Sequence, residues 1–340
     1  MDSVTINKKH LIKEENLKNM KMFLYQKEMA TKAELAEAAN VSVVTSNALV
    51  KELVEASIFL EGAQIQREMG RPATNYYFNY NYQHYLLLSI QEKDRVLKIM
   101  ARVINSKGMS CLDQEVDFSS VDLDELAVLS KKLCETFPTI VAIGISFPGK
   151  TAGDIVTSSW YDKMNGWNFK AKISEVLSLP VYVQNDANLA TIGYCLTHGI
   201  SPSRLVTGIY YPEKSMPGIS VFVNNHLLLG NNGLAGEAKY LPLFIDQEDT
   251  QQLDFEQYYK NLIELIILYN GFIAPHTIVV FNYGNDLLAE QIEQSLAKTK
   301  AFTRQPNRPK ISVTDSFDTS VFKGIQWLAM KESIYFDALS

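Results

Sequence analysis

Between residues 11 and 28 (LIKEENLKNMKMFLYQKE), Leu11, Leu17, Met20, Phe23 and Leu24 fall near one stripe at helical spacing, with charges elsewhere. A first helix is expected there. Thr31 stands three residues before Glu34, the spacing of a capping box, and Lys32 to Ala39 reads as a short helix with Leu35 and Ala36 inward. Asn40 and Val41 break that run. Ser42 can cap a helix from Val43 to Glu55, in which Ser46, Leu49, Val50 and Leu53 share one face. Ile58 to Gln66 and Ala73 to Phe78 are β-prone pieces on either side of Arg67 to Pro72 (REMGRP), a Gly/Pro turn. The pattern predicts a winged helix-turn-helix: two short helices meeting at a tight turn, then a β-hairpin.

From about Tyr80 the pattern changes to β-runs alternating with helices. Tyr85 to Ile90, Val96 to Ile104, a helix near Leu123 to Phe137 and Ile140 to Ser146 form one series. A second runs from Leu205 to Val223, through helices near Phe255 to Tyr269, to Thr277 to Phe281. Each reads as a mixed sheet covered by helices, so the chain divides into an α+β unit at 1–80 and an α/β unit of two lobes at 81–340, with a cleft between the lobes. The halves share an order of elements but no sequence repeat.

Composition narrows the classes. Of 340 residues, 46% are hydrophobic and 21% charged, with 17 Gly and 11 Pro, which excludes disordered and low-complexity chains. No apolar run approaches the ~18 residues of a membrane span, and the N-terminus lacks an apolar segment followed by a cleavage site, so a cytoplasmic protein is expected. The net charge of −6 falls entirely in 81–340, because 1–80 balances its acids and bases. A neutral unit is unusual for DNA binding, although Arg67 and Arg71 at the hairpin tip supply local positive charge. Cys111, Cys134 and Cys195 are too scattered for a disulfide framework or a zinc ribbon, and the five His have no metal-ligand spacing. Buried or half-buried thiols and no metal are expected.

Three segments carry candidate chemistry. Gly144 to Gly149 (GISFPG) ends a β-run in a Pro-Gly turn, with Asn165 to Asn168 (NGWN) after it. Pro180 to Asn188 (PVYVQNDAN) is a short strand ending in Gln184, Asn185, Asp186 and Asn188, with Ala190 to Cys195 opening a helix. Polar side chains at a strand's carboxyl end, before a helix N-terminus, are where α/β folds bind ligands. Gly230 to Glu237 (GNNGLAGE) adds turn glycines and a carboxylate.

With GRPA (Gly70 to Ala73) in the wing and ISFPG, NGW, PVYVQNDAN and NGLAGE in the larger part, the chain resembles the repressor branch of the ROK proteins (repressor, open reading frame, kinase) over nearly its whole length. The resemblance implies a winged helix-turn-helix followed by a two-lobed, actin-like module of hexokinase type. It implies a dimer or tetramer that binds an operator in double-stranded DNA and responds to a sugar or sugar-phosphate held by Asn165, Asn185, Asp186 and Glu237. Asp186 would be the catalytic base of a kinase relative.

The departures are as informative. Where family kinases have a DxGGT phosphate turn, Ser89 to Lys93 (SIQEK) has no glycine, and a Cβ obstructs close approach of backbone N–H groups to an anion. Pro212 to Gly218 (PEKSMPG) replaces a second glycine loop with two prolines and Glu213, and Phe281 to Gly284 (FNYG) keeps one glycine of a third. Lys239 and Tyr240 stand where a sugar-binding His is common, and no cysteine follows Cys195, so zinc has no ligand set. The expectation is a repressor of carbohydrate-related genes that is not an enzyme and needs no cofactor. In the second short helix Thr45 and Asn47 can read base edges and Lys51 can meet phosphate; with Ser42, Arg67 and Arg71 they are the candidate DNA contacts. A sugar kinase, or a regulator whose module only dimerises or docks a protein, are the alternatives.

Overall fold

The computed structural model describes residues 2–65, 73–93, 96–159, 161–212, 216–244, 254–281 and 286–336. Arg67 and Arg71, residues 213–215 of PEKSMPG and 282–284 of FNYG lie outside the described residues. Among the described residues, no helix is long and apolar enough to cross a membrane.

Helix α1 (Asp2–Lys27) leads through β1 (Met29–Thr31) into α2 (Lys32–Ala38), α3 (Val43–Glu55) and the strands β2 (Phe59–Ile65) and β3 (Ala73–Phe78). The capping box forms as expected: Glu34 N–H donates to Thr31 Oγ1, and Thr31 N–H donates to Glu34 Oε2 at 2.7 Å. Leu17, Met20 and Leu24 of α1 bury against Leu35, Leu49, Val50 and Leu53. Leu11 departs from the expected stripe and is 62% exposed: every residue from His10 to Glu15 faces solvent, and Leu17 is the first buried residue after them. β1 was not expected; its three residues pair antiparallel with β3, giving a sheet of order β1-β3-β2.

Two sheets of five strands follow. The first contains β4 (His84–Lys93), β5 (Val96–Asn105), β6 (Ser110–Asp117), then, after α4 (Leu123–Thr136), β7 (Ile140–Phe147). The chain leaves β7 into a hairpin, β8 (Gly149–Ala152) and β9 (Ile155–Ser159), so Pro148-Gly149 starts a strand rather than making an isolated turn. After α5 (Phe169–Ser174), β10 (Val181–Asn185) completes the sheet, and α6 (Asp186–Thr197) starts four residues before the expected Ala190. The second sheet contains β11 (Val206–Tyr210), β12 (Gly218–Val223) and β13 (His226–Leu227), then, after α7 (Phe255–Ile273), β14 (Thr277–Phe281); α8 (Asp286–Lys298) and α9 (Lys300–Thr303) precede β15 (Lys310–Thr314), and α10 (Phe317–Met330) closes the fold.

The orders are β10-β7-β4-β5-β6 and β13-β12-β11-β14-β15. Each sheet therefore centres its first strand between an antiparallel pair on one side and a parallel pair on the other. That is one topology used twice. Alternation in β4 sends Tyr85 and Leu87 to one face and Leu86, Leu88 and Ile90 to the other, and both faces are covered. Helices α4 and α5 cover the outer face of the first sheet, while α7, α8 and α9 cover the second. Between the sheets lie α6 and α10, sharing one apolar core with both.

That middle layer is set by glycine. A Cβ on Gly193 would stand 1.8 Å from Ser320 O, and one on Gly324 would stand 2.1 Å from Leu189 O. The α6 and α10 backbones thus touch directly. Beyond α10, Tyr335 stacks on Tyr25 of α1 at 4.5 Å between ring centroids, and the Tyr82 and Tyr335 hydroxyls lie 2.9 Å apart. Tyr25 Oη donates to Ser106 O at 3.0 Å, and Tyr80 Oη donates to Tyr25 O at 2.8 Å. An aromatic joint therefore ties α1 to the end of the chain. Among the cysteines, Cys111 is exposed, contrary to expectation, because β6 is an edge strand; Cys134 is half-buried and Cys195 buried.

Alanine at Gly193 or Gly324 is expected to destabilise the fold by about 3 kcal/mol despite alanine's better helix propensity, since neither backbone can retreat. Gly271→Ala in α7, where nothing lies within 4 Å, should instead stabilise by about 0.5–1 kcal/mol. Urea unfolding of the three variants checks this, and equal effects would contradict the close crossing.

Candidate functional site

Two surfaces hold the candidate residues. On α3, Ser42 is the N-cap: Thr45 N–H donates to Ser42 Oγ at 3.2 Å, and the two hydroxyls lie 3.0 Å apart. Ser46 Oγ donates to Lys32 O at 3.2 Å, fixing α3 against α2, while Leu49, Val50 and Leu53 are buried. Thr45, Asn47 and Lys51 sit on the exposed face with Val43, Val44 and Ala48. Lys51 faces Glu55 at 3.6 Å, a solvent-exposed pair of small energetic weight.

The second surface gathers at the start of α6. Register in the parallel pair of β7 and β10 places Asn185 opposite Phe147, so the polar strand end reaches the β8 hairpin. Asn185 caps α6, its Oδ1 accepting from Asn188 N–H at 3.1 Å, and its Nδ2 donates to Gly149 O at 3.0 Å. Asp186 follows, and its Oδ1 accepts from Ala187 N–H at 2.8 Å. Burial pushes the Asp186 carboxyl up to about 6; Asp318 on α10 adds to the rise, and Lys150 on β8 opposes it.

Glu237 does not stand free. Lys150 Nζ lies 3.0 Å from Glu237 Oε1 and donates to Ala235 O at 3.3 Å. The pair is only 12% and 16% exposed, so removing either partner would leave a poorly solvated, uncompensated charge. Lys239 Nζ approaches Glu237 Oε2 at 4.0 Å and donates to Ser158 Oγ at 3.4 Å. Asn185, Asp186 and Glu237 are thus brought together around the β8–β9 hairpin. Asn165 follows β9, where Gly166 N–H donates to Val156 O at 2.8 Å; its own side chain is exposed, with Nδ2 donating to Asp162 Oδ1 at 3.5 Å. Lys150 was missed, since a single lysine after Pro-Gly carries no spacing signal.

Ser89 to Lys93 runs as strand, paired in register from Ser89 with Met100 to Lys93 with Val96. A phosphate turn at those residues would require the ladder to end.

A model described as ROK family matches residues 96–250. The chain carries a ROK family domain. In sequence it is similar to the xylose repressor of Bacillus subtilis (strain 168), 26% identical over 251 residues, or 70% of this chain; the match spans 60% of that relative's length. In structure it is similar to a ROK family transcriptional regulator described as a homolog of the E. coli MLC protein, at a TM-score of 0.62 and 16% identity, over 96% of this chain and 98% of that one. A ROK family glucokinase from Streptomyces griseus, in complex with glucose and AMPPNP, matches at 0.56 and 16% identity over 73% of this chain and 99% of its own. At such identities the structural matches establish the fold: this ROK domain shares its mixed sheets and helices with both regulators and kinases.

Within the ROK domain, Asp186 gives the sharpest titration test. A carboxyl held near 6 in the folded state and near 4 when unfolded binds its proton more tightly on folding, so its contribution is complete below about pH 4 and is lost as pH rises through 6. Asp186→Asn removes the ionised form. The stability of the variant relative to the unsubstituted protein should rise by up to about 3 kcal/mol between pH 4 and pH 8. Chemical denaturation at pH 4, 6 and 8 measures the difference, and a pH-independent gap would contradict it.

Proposed function

We propose that the protein is a sugar-responsive transcriptional repressor, cytoplasmic and acting as a homodimer or homotetramer. In this reading residues 1–80 form a winged helix-turn-helix that binds an operator in duplex DNA, and residues 81–340 form a ROK module without phosphoryl-transfer activity. The observation that carries it is α3: one face is fully buried, and the other holds Thr45, Asn47 and Lys51 in solvent. A helix-turn-helix reads the major groove with the N-terminal residues of such a helix. Similarity to a xylose repressor supports the reading. The continuous ladder from Ser89 to Lys93 supports the absence of kinase activity, because phosphoryl transfer relies on positioned phosphates.

A route for response follows from the packing. Asp186 opens α6, α6 meets α10 at Gly193 and Gly324, and the segment after α10 stacks Tyr335 on Tyr25 of α1. A sugar held at Asn185, Asp186 and Glu237 would change operator affinity only through different affinities for two arrangements of this chain of contacts. The half-buried Lys150–Glu237 pair favours a second reading, in which the module binds no neutral sugar and serves as a dimerisation or docking platform. Thermal shifts with a sugar library separate the two: a rise abolished by Asp186→Ala supports sensing, and none at millimolar sugar supports docking.

Footprinting and gel shifts with the full chain test DNA binding. Lys51→Ala is expected to weaken all duplexes alike and to reduce the salt slope by about one. Asn47→Ala should weaken only the operator, by about 1–3 kcal/mol. A coupled assay across hexoses and pentoses should show no ATP turnover. Sugar-dependent ATP hydrolysis, or no protected site in genomic DNA, would overturn the proposal.

A further inference from the structure

The outward stripe of α3 is apolar where a guanine-reading helix would be basic. Val44, Asn47, Ala48 and Lys51 lie at offsets of three, four and seven, opposite the buried Ser46, Leu49, Val50 and Leu53. Val44 is 80% exposed and Val43 is 56% exposed, so two adjacent β-branched side chains stand in water at the end of the helix that would enter the groove first. The Thr45 hydroxyl is engaged by Ser42, leaving its methyl to face outward chemistry. The Asn47 amide has no partner among the described residues. α3 has no arginine, and its one lysine, Lys51, lies roughly 10 Å along the axis from Val44 and faces Glu55 at 3.6 Å.

Base edges differ in what they offer such a surface. Guanine presents two acceptors, best met by a forked cation, whereas thymine presents a methyl and adenine an acceptor beside a donor, which an asparagine amide matches in both directions. The geometry points to an operator half-site whose core, under Val44 and Asn47, is A·T, with Val44 packed on a thymine methyl and Asn47 paired to an adjacent adenine. This rests on the DNA-binding reading above and specifies its partner. Ser42 then acts as the cap that fixes the helix start, not as a reader of bases.

The test uses the full chain and random duplexes. Selection should return half-sites with an A·T core. Replacing the contacted thymine by deoxyuridine removes only the methyl, and should weaken binding about three- to tenfold for the unsubstituted protein but less than twofold for Val44→Ala. Asn47→Ala should lose preference for the adenine while keeping its affinity for non-operator DNA. A selected G·C core, or an equal deoxyuridine effect on both proteins, overturns the inference and leaves DNA binding standing. Absence of binding to any duplex overturns both.

Discussion

Direct backbone contact between α6 and α10 is the constraint on which the rest of the fold depends. Helices normally stand 8–10 Å apart because side chains separate them. At Gly193 and Gly324 no side chain intervenes, and each glycine faces a carbonyl of the opposite helix. Two helices sandwiched between two sheets can meet both sheets only if the middle layer is thin, and the glycines make it thin. Thr191 extends the same logic into the second sheet, where a Cβ on Gly208 would meet its Oγ1 at 1.8 Å. The two lobes are joined by close packing across this layer.

The end of that layer at the β8–β9 hairpin holds two acids in different electrostatic settings. Glu237, positioned by the positive φ of Gly236 and the close approach of Ile219 O, is neutralised by Lys150 from the facing hairpin. Asp186 lacks such a partner within ion-pair distance among the described residues, and burial raises its carboxyl. One acid is paired and the other pushed toward its neutral form.

Periodicity made the elements legible, and local capping made their starts legible. Thr31/Glu34 and Ser42 were readable because both partners lie within three residues. The repeated sheet topology was visible only as a similar order of elements, since strand order depends on pairings distant in sequence. Leu11 and Cys111 went astray because periodicity reports a face and cannot say whether anything packs on it. Asn185, Asp186 and Glu237 were legible as motifs and do converge, whereas Lys150 required the fold, because its partner lies 87 positions away. Asn165 was legible as part of a motif, and the turn after Met164 leaves its side chain exposed beside β9.

Charge balance in residues 1–80 constrains how such a reader could work. Counterion release supplies most non-specific affinity for DNA, and a unit with equal numbers of acids and bases has little of it to draw on. Under the proposed reading, methyl and amide contacts from α3 would discriminate between sequences without holding any sequence tightly. In the proposed dimer a second copy would correct this, because two readers on one scaffold would raise the effective concentration of the second half-site without any new contact. The same arithmetic makes release easy. On that reading a ligand that tilted the Tyr25–Tyr335 joint would not need to alter either reader, since changing the spacing between them would remove the bivalent gain, and a coupling of about 1–3 kcal/mol would be enough to empty the operator.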